Sequence, residues 1–109
     1  MKFLVIATPL PIPIPPEQGA DLYQAARAWI AERLGDGRID CAYIFVDGGG
    51  LAISNAETHE QVFDELLSYP LYRFFGWEVK PLCDVEHTFG TVIEGFTRAG
   101  GYCSEGAIR

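Results

Sequence analysis

The stretch RIDCAYIFVDGGGLAIS at residues 38–54 decides the fold, because it combines a hairpin signal with apolar residues on both sides of a strand. Two apolar runs, 38–46 and 50–54, flank the sequence Asp-Gly-Gly-Gly, which is typical of a β-hairpin turn. Alternation in the first run gives one face made of Ile39, Cys41, Tyr43 and Phe45 and a second made of Ala42, Ile44 and Val46. Both faces are apolar, so we expect protein to cover the strand on both sides.

The sequence on either side of the hairpin predicts two more strands and two helices. Residues 2–8 form a continuous apolar run that suits a strand buried on both faces, and residues 75–83 alternate apolar with polar, as an edge strand does. Residues 17–35 have apolar residues at helical spacing and then glycines, which predicts a first helix. The sequence THEQ at residues 58–61 fits a capping box and predicts the start of a second helix, which ends at Pro70.

The resulting order, β-α-β-β-α-β, is typical of an α+β domain of ferredoxin-like fold, with a four-stranded antiparallel sheet and both helices on one face. The other face of such a sheet normally meets water, yet the first two strands are apolar there as well. Burying an aliphatic side chain is worth roughly 1.5–3 kcal/mol, and two-fold pairing is the commonest assembly. The cover could be a second copy of the sheet or the chain's own tail. We expect two copies to pack sheet against sheet as a homodimer, a dimeric α/β barrel, and the tail as a lid or as an exchanged arm is compatible with it.

The length predicts a single domain over residues 1–109, with a core of about 1–83 and a C-terminal extension of about 84–109. The extension has apolar residues at helical spacing between Phe89 and Phe96, interrupted by glycines. Because glycine is unfavourable inside a helix, we expect one short element followed by a loose end.

Charge and cysteine usage argue against several classes of partner. The net charge of −7, from 15 acids against 8 bases, disfavours nucleic acid and an anionic membrane surface. The three cysteines form no CxxC pair and no Cys/His pair at metal spacing, which favours reduced thiols, no metal site and a cytoplasmic location. No run approaches the ~20 apolar residues that span a bilayer.

The sequence LLSYPLYRFFGWEVKPL at residues 66–82 resembles muconolactone isomerase, in which a helix ending in leucine is followed by Leu-Pro-Leu-Phe and a strand ending in Val-Thr-Pro-Leu. The opening MKFLV before a proline loop, AERL at residues 31–34 and the pair Gly37-Arg38 are similar to the same family. The similarity covers residues 1 to about 83, and its spacing marks the wider group of dimeric α/β barrels.

The resemblance implies a ferredoxin-like protomer, sheet-to-sheet dimers, larger rings of dimers, and a pocket between sheet and helices that a neighbour closes. Muconolactone isomerases move a proton within an unsaturated lactone and use no cofactor. That chemistry needs a general base near the carbon acid and a donor that receives the enolate charge. The family would place an acid in the middle of the first helix, where this chain has Arg27.

Three residues are candidates for catalysis. Arg27 lies about one turn from Tyr23 on the predicted first helix and could bind a substrate carboxylate as a fork; otherwise it is a solvated arginine. His87, just past the last strand, or Glu32 would handle the proton, since histidine titrates near neutrality. The alternative is that His87 is a surface residue.

Four aromatic residues are candidates for substrate binding. Tyr23, Tyr43 and Trp77 have the composition of an apolar ligand pocket with polar tips, and the same residues also suit a protein core. Tyr72, in the turn before the fourth strand, could contact the substrate or a neighbouring subunit.

Three functions remain open from the sequence. The first is a small cofactor-independent enzyme, an isomerase that transfers a proton on a small aromatic-derived or lactone-like acid. The second is a non-catalytic module of the same fold that binds a small ligand, and the third is an interaction or structural protein with an incidental pocket. The fold does not choose among them, because this architecture hosts unrelated activities.

Overall fold

A computed structural model of the chain describes residues 1–99. The predicted order of elements is present, with a C-terminal helix added: β1 Lys2–Pro9, α1 Pro16–Asp36, β2 Ile39–Ile44, β3 Gly50–Asn55, α2 His59–Leu67, a short 3-10 helix Tyr72–Phe74, β4 Phe75–Leu82 and α3 Val85–Ala99. The fold is α+β of the ferredoxin-like type, and the prediction of its class is confirmed.

The strands form one four-stranded antiparallel sheet in the order β2-β3-β1-β4. β4 lies at an edge, which agrees with its alternating sequence. Pro81 lies inside β4, opposite Phe3 of β1. An edge strand tolerates proline because one side of its backbone has no neighbouring strand to bind.

A bulge in β2 changes the faces that simple alternation predicts. The register shifts between Ile39 and Cys41, and the extra residue between them is Asp40. The carboxylate of Asp40 accepts hydrogen bonds from Lys2 and Asn55. Ile39 is therefore buried beneath the helices, and the prediction that it shares a face with Cys41 was wrong.

β2 also ends earlier than predicted, at Ile44. Phe45 and Val46 belong to the turn, where the Phe45 N–H donates to the carbonyl oxygen of Gly49 at 2.7 Å and Gly48 has a φ of 96°. Glycine adopts this left-handed conformation without steric conflict, so the glycine-rich sequence fixes a tight turn.

The helices α1 and α2 cover one face of the sheet. Two buried clusters hold them there, one made of Phe3, Val5, Val62 and Leu66 and the other of Ala26, Leu71 and Phe74. The predicted capping box begins α2: the Thr58 hydroxyl accepts from the Gln61 N–H at 3.1 Å, and the Gln61 side chain accepts from the Glu57 N–H at 2.7 Å. These bonds satisfy N–H groups that a helix start leaves without partners.

An ion pair shielded from water joins α1 to α2. Arg33 is only 8% exposed and donates from Nε and Nη2 to the Glu65 carboxylate at 3.1 and 2.9 Å. Arg38 donates to the same carboxylate at 2.9 Å, and the Arg33 guanidinium lies 3.8 Å from the centre of the Trp29 ring. The hydrogen bonds from Arg33 lower the pKa of the Glu65 carboxyl below its ordinary value.

The sheet face that points away from the helices is apolar at its centre, and we call it the open face. It carries the half-buried side chains Leu4, Ile6, Cys41, Leu51 and Ile53. β1 therefore has the two apolar faces that its sequence predicts. The packing of this face against a second copy stays a prediction.

The C-terminal extension forms a helix of 15 residues, longer than the short element expected. Gly90 and Gly95 lie inside α3, and the Asp84 carboxylate caps its first turn by accepting from the His87 N–H at 3.0 Å. No residue from Val85 to Ala99 is buried, and the described chain measures 65 × 31 × 24 Å. The predicted loose end falls on residues 100–109, outside the described residues.

Replacing Glu65 with glutamine tests the ion pair between the helices. We expect Glu65→Gln to lower the free energy of unfolding by about 1–3 kcal/mol at neutral pH, because Arg33 loses its charged partner. The difference in unfolding free energy between the variant and the wild type should be fully present at pH values above 4.5, the ordinary pKa of a glutamate carboxyl. It should vanish as the pH falls through the lowered pKa that Glu65 has in the folded state. Urea unfolding across this pH range measures both effects.

The matched control is Asp64→Asn, since Asp64 neighbours Glu65 on α2, is exposed and makes no ion pair within residues 1–99. Equal losses in the two variants, or a Glu65→Gln loss that persists at low pH, would contradict the role given to the pair.

Two glycine-to-alanine changes are expected to have opposite effects. A Cβ at Gly49 would lie 2.4 Å from the carbonyl oxygen of Ala7, so Gly49→Ala must displace a strand and should lower the free energy of unfolding. A Cβ at Gly35 would meet nothing within 4 Å, so Gly35→Ala in α1 should stabilise the fold by roughly 0.5–1 kcal/mol. Thermal unfolding reports both signs, and shifts in the same direction would contradict these placements.

Candidate functional site

A cleft opens between α1 and the sheet, and we call it the inner cleft. Its floor is made of small residues on adjacent strands, Ala7, Ala42, Gly50 and Ala52. Because these residues do not fill the space beneath α1, a cavity of about 80 Å³ remains there. The walls are apolar and include Trp29, Ile30, Tyr69, Phe75 and Trp77. This composition is typical of a small-ligand site.

Tyr69 stands at the centre of the aromatic wall. Its ring meets the rings of Trp29 and Trp77 edge-on, with centroids 5.0 and 5.7 Å away, and Tyr72 stacks on Trp77 at 5.9 Å. Both indole N–H groups are engaged, since Trp29 donates to the Ser68 hydroxyl at 3.0 Å and Trp77 to the Tyr72 carbonyl at 2.9 Å. The wall therefore offers ring surfaces to a ligand rather than indole N–H groups.

The Tyr69 hydroxyl is a polar group in this otherwise apolar wall. Burial, and to a lesser extent the nearby charge of Tyr23, raises the pKa of the Tyr69 phenol above its ordinary value. No group within residues 1–99 forms a hydrogen bond to this hydroxyl. A phenol that stays neutral at neutral pH can donate a hydrogen bond to a ligand oxygen on which negative charge develops.

A second and more open cleft lies along α1, and we call it the outer cleft. One wall runs along α1 from Ala20 to Leu34, and the opposite wall includes Ile44, Leu71 and Phe75. The volume of this cleft is about 670 Å³. The two clefts adjoin, because they share the lining residues Ile30, Ile44, Gly48, Tyr69 and Phe75.

Arg27 lies in the outer cleft and has no ion-pair partner among residues 1–99. The other arginines of that range are engaged: Arg33 and Arg38 with Glu65, Arg98 with Glu94, and Arg73 with the ring of Phe74. Among the described residues, no Asp or Glu lines either cleft. A chain of net charge −7 thus presents an uncompensated guanidinium at an apolar cleft, an arrangement that suits a carboxylate ligand.

The structure places the predicted substrate-binding residues at different positions. Arg27 and Tyr23 lie together in the outer cleft, as their spacing on α1 predicts. Trp77 lines the inner cleft, and Tyr72 stacks on Trp77 but lines neither cleft. Tyr43 borders the inner cleft, but its side chain belongs to the open face and is 67% exposed. The binding roles of all of them stay predictions.

The two predicted proton-transfer residues lie outside both clefts of this protomer. Glu32 accepts hydrogen bonds from Arg33 and Arg38, each at 3.2 Å, within the ion network at the end of α1. His87 is exposed in the first turn of α3. These positions give no support to placing either residue beside Arg27, and their roles stay predictions.

Tyr69 is the site residue that has no signal in the local sequence. Its ring neighbours Trp29 and Trp77 come from α1 and β4, so their convergence is a tertiary effect. The cleft itself does have a signal, since Ala7, Ala42 and Ala52 stand where larger apolar residues would fill a core. That signal becomes readable only once the strand register is known.

Two kinds of site were searched for in the described part of the chain without result. From Met1 to Ala99, no three His, Cys, Asp or Glu side chains are grouped so as to hold a metal ion. Over the same range, no helix is long and apolar enough to cross a membrane. The described cysteines, Cys41 and Cys83, are free thiols.

Comparison with known proteins identifies the fold. No family model and no curated protein matches this chain. A crystal structure of muconolactone isomerase at 3.3 Å resolution matches 77% of this chain and 90% of its own, with 24% sequence identity and a TM-score of 0.67. A 5-chloro-2-hydroxyhydroquinone dehydrochlorinase from Burkholderia phenoliruptrix AC1100, in complex with 2,5-dihydroxybenzoquinone, matches 80% and 98%, with 19% identity and a TM-score of 0.62. The chain therefore has a muconolactone isomerase-like fold, as the resemblance at residues 66–82 predicts.

Alkaline titration followed by tyrosine absorbance tests the environment of Tyr69. We expect one step in the absorbance at a pH above 10.0, the ordinary pKa of tyrosine, because burial disfavours the phenolate of Tyr69. Tyr69→Phe should remove this step, whereas Tyr43→Phe, which alters an exposed ring on the open face, should leave it in place. A high step that survives Tyr69→Phe would contradict the buried position of this phenol.

Proposed function

We propose that this chain is a cofactor-independent isomerase that transfers a proton on a small aromatic-derived or lactone-like acid. The proposal is carried by three features that adjoin one another: an aromatic cleft, a neutral phenol in its wall and an unpaired guanidinium in the neighbouring cleft. Each feature has a distinct task in such a reaction.

The inner cleft would hold the ring of the substrate. Trp77, Tyr69 and Phe75 line the cleft and supply flat apolar surfaces that a planar ring can stack on or meet edge-on, and Tyr72 supports Trp77 by stacking on it. Apolar walls also displace water, and electrostatic interactions are stronger where water is excluded.

The two polar groups would orient the acid and stabilise charge. The Arg27 guanidinium would bind the substrate carboxylate through two parallel N–H donors. The Tyr69 phenol would donate to the carbonyl oxygen whose negative charge grows as a neighbouring carbon loses its proton. The raised pKa of Tyr69 favours this donor role and disfavours a role for its phenolate as base.

The proton acceptor is not supplied by the cleft linings of one protomer. Among the described residues, no Asp, Glu or His lines either cleft. The isomerase proposal therefore needs a base from outside these linings, and Glu32 and His87 of a second copy remain the candidates for it.

The proteins of similar fold support this class of substrate. Muconolactone isomerase is named for a lactone, and the dehydrochlorinase is named for a chlorinated hydroxyhydroquinone and holds 2,5-dihydroxybenzoquinone. Both ligand types are small oxygenated rings, which is the shape that the inner cleft would accept.

We also propose that the protein is a homodimer formed through the open face. The apolar centre of this face is bordered by polar pairs, Lys2 with Asp40 and Glu78 with Lys80. An apolar centre with a polar rim is the usual anatomy of a protein interface. Larger rings of dimers and a cytoplasmic location belong to the same proposal, the latter supported by the free thiols of Cys41 and Cys83.

A non-catalytic ligand-binding protein is the second candidate function. The observation that favours it is the absence of any carboxylate or imidazole from the cleft linings among residues 1–99. Such a protein would bind the same acids through Arg27 and the aromatic wall and would return them unchanged.

Incubation of the protein with muconolactone in deuterated water separates the two functions. The isomerase proposal predicts deuterium at the ring carbon that exchanges its proton, detected by NMR, together with thermal stabilisation of the protein. Stabilisation without deuterium incorporation would favour the binding function and contradict the isomerase. Neither stabilisation nor exchange, with muconolactone and with 2,5-dihydroxybenzoquinone, would contradict both.

Two variants assign the roles within an active protein. Arg27→Gln should raise KM by about 10–100-fold, because a charged hydrogen bond to the carboxylate is lost. Tyr69→Phe should lower kcat by about 100-fold with a smaller effect on KM, because its bond strengthens as the charge develops. The control is Arg73→Gln, which removes an exposed arginine outside both clefts and should change neither constant. Equal effects of the two arginine changes would contradict the role of Arg27.

A further inference from the structure

α3 has an apolar stripe that no other element within residues 1–99 buries. Val85, Phe89, Val92 and Phe96 recur at intervals of four, three and four residues, which places them on one side of the helix. Phe89 is 63% exposed and its stripe neighbour Ile93 64%. An isolated helix of this length is only marginally stable in water, so its exposed apolar side indicates a surface that binds another.

The chain's own clefts are not within reach of α3 as it lies. β4 ends at Leu82, which pairs with Lys2, so α3 begins at that end of the sheet. The outer cleft meets the sheet at the opposite end, at Ile44, Gly48 and Phe75. α3 contributes no residue to either cleft, and the described chain is 65 Å long because this helix extends away. A helix that fills the outer cleft therefore has to come from a second copy.

The outer cleft has the length and lining that such a helix needs. Its α1 wall runs from Ala20 to Leu34, as many residues as the 15 of α3, and this stretch of α1 and α3 are each about 22 Å long at 1.5 Å per residue. Ala20 and Ala31 keep this wall low, so that a second helix can approach α1 closely. Tyr23 and Leu34, 53% and 43% exposed, are apolar surface that a docked helix would cover.

Charge complementarity selects α3 as the occupant. The cleft contains the unpaired guanidinium of Arg27 and, among the described residues, no acid. α3 begins with the acids Asp84 and Glu86, and Glu86 makes no ion pair within residues 1–99. Arg27 has five N–H donors, enough for one carboxylate from a docked helix and one from a ligand. An acidic amphipathic helix therefore fits this groove better than a neutral or basic one.

We propose that α3 of one copy lies in the outer cleft of a second copy, with its apolar stripe on Tyr23, Ala31 and Leu34. Because the two clefts share Tyr69 and Phe75, the docked helix would also narrow the entrance to the inner cleft. His87 lies on the side of α3 opposite the stripe, so it stays in solvent in this arrangement, which leaves Glu32 as the candidate base. Glu86 flanks the stripe at the first turn of α3. The docking holds whether or not the clefts turn over a substrate.

Cross-linking between two differently tagged, co-expressed chains tests the docking. In a background with Cys41, Cys83 and Cys103 changed to serine, one chain carries Ala31→Cys, on the α1 wall of the groove, and the other Val92→Cys, at the middle of α3. A short bis-maleimide should then join the two chains covalently, whichever direction the helix takes along α1. Circular dichroism of each variant verifies that the fold is retained.

Two matched variants make the result specific to the stripe. Thr91→Cys, on the opposite side of α3, should give at least tenfold less of the doubly tagged product than Val92→Cys. Adding Phe89→Asp to the Val92→Cys chain should reduce the product by a similar factor, whereas adding Thr91→Asp should not. Absence of the product, equal yields from positions 91 and 92, or no effect of Phe89→Asp would each overturn the proposal, and none of these outcomes depends on ligand turnover.

Discussion

The central strand β1 has an apolar residue at every position from Phe3 to Ala7, so both of its faces need to be covered. The rest of the structure depends on this constraint. Phe3 and Val5 point toward the helices and are buried by Val62 and Leu66 of α2. Leu4 and Ile6 point the other way, onto the open face. The helices cover the side chains that point toward them. We propose that a second copy of the chain covers those on the open face.

The same sheet leaves a cleft because its residues change size along the strands. Near Phe3 and Val5 the face beneath the helices is filled, but at Ala7, Ala42 and Ala52 it is not, and α1 spans an empty space above them. A core packed to ordinary density would close that space. The small residues therefore leave a cleft that a ligand could enter, at the cost of packing contacts. The Arg33–Glu65 pair holds α1 and α2 together about one turn beyond Trp29 and Ile30, the α1 residues that line this cleft.

Most of the fold and about half of the candidate site could be predicted from the sequence. The hairpin, the capping box at Thr58 and the edge position of β4 are each encoded by neighbouring residues, and each was predictable. The bulge at Asp40 was not, because one extra residue in an apolar strand leaves the alternation superficially intact. The length of α3 was underestimated because Gly90 and Gly95 weaken a helix locally, while its cap at Asp84 and its stripe favour it.

The site residues that could be predicted are likewise those whose proximity follows from neighbouring positions in the sequence. Arg27 and Tyr23 are one helical turn apart, so their meeting in the outer cleft follows from spacing alone. Tyr69 meets Trp29 and Trp77 only through the packing of three elements. Glu32 had suitable chemistry for proton transfer, but its hydrogen bonds to Arg33 and Arg38 place it in the ion network.

The molar mass in solution is the measurement that tests the account most directly, because the proposed homodimer follows from the two-sided apolar sheet. Light scattering at micromolar concentration should give at least twice the chain mass of 12.0 kDa, and Ile6→Asp, which puts a charge at the centre of the open face, should reduce that mass. A wild-type protein that scatters as a folded 12.0 kDa monomer would contradict the account.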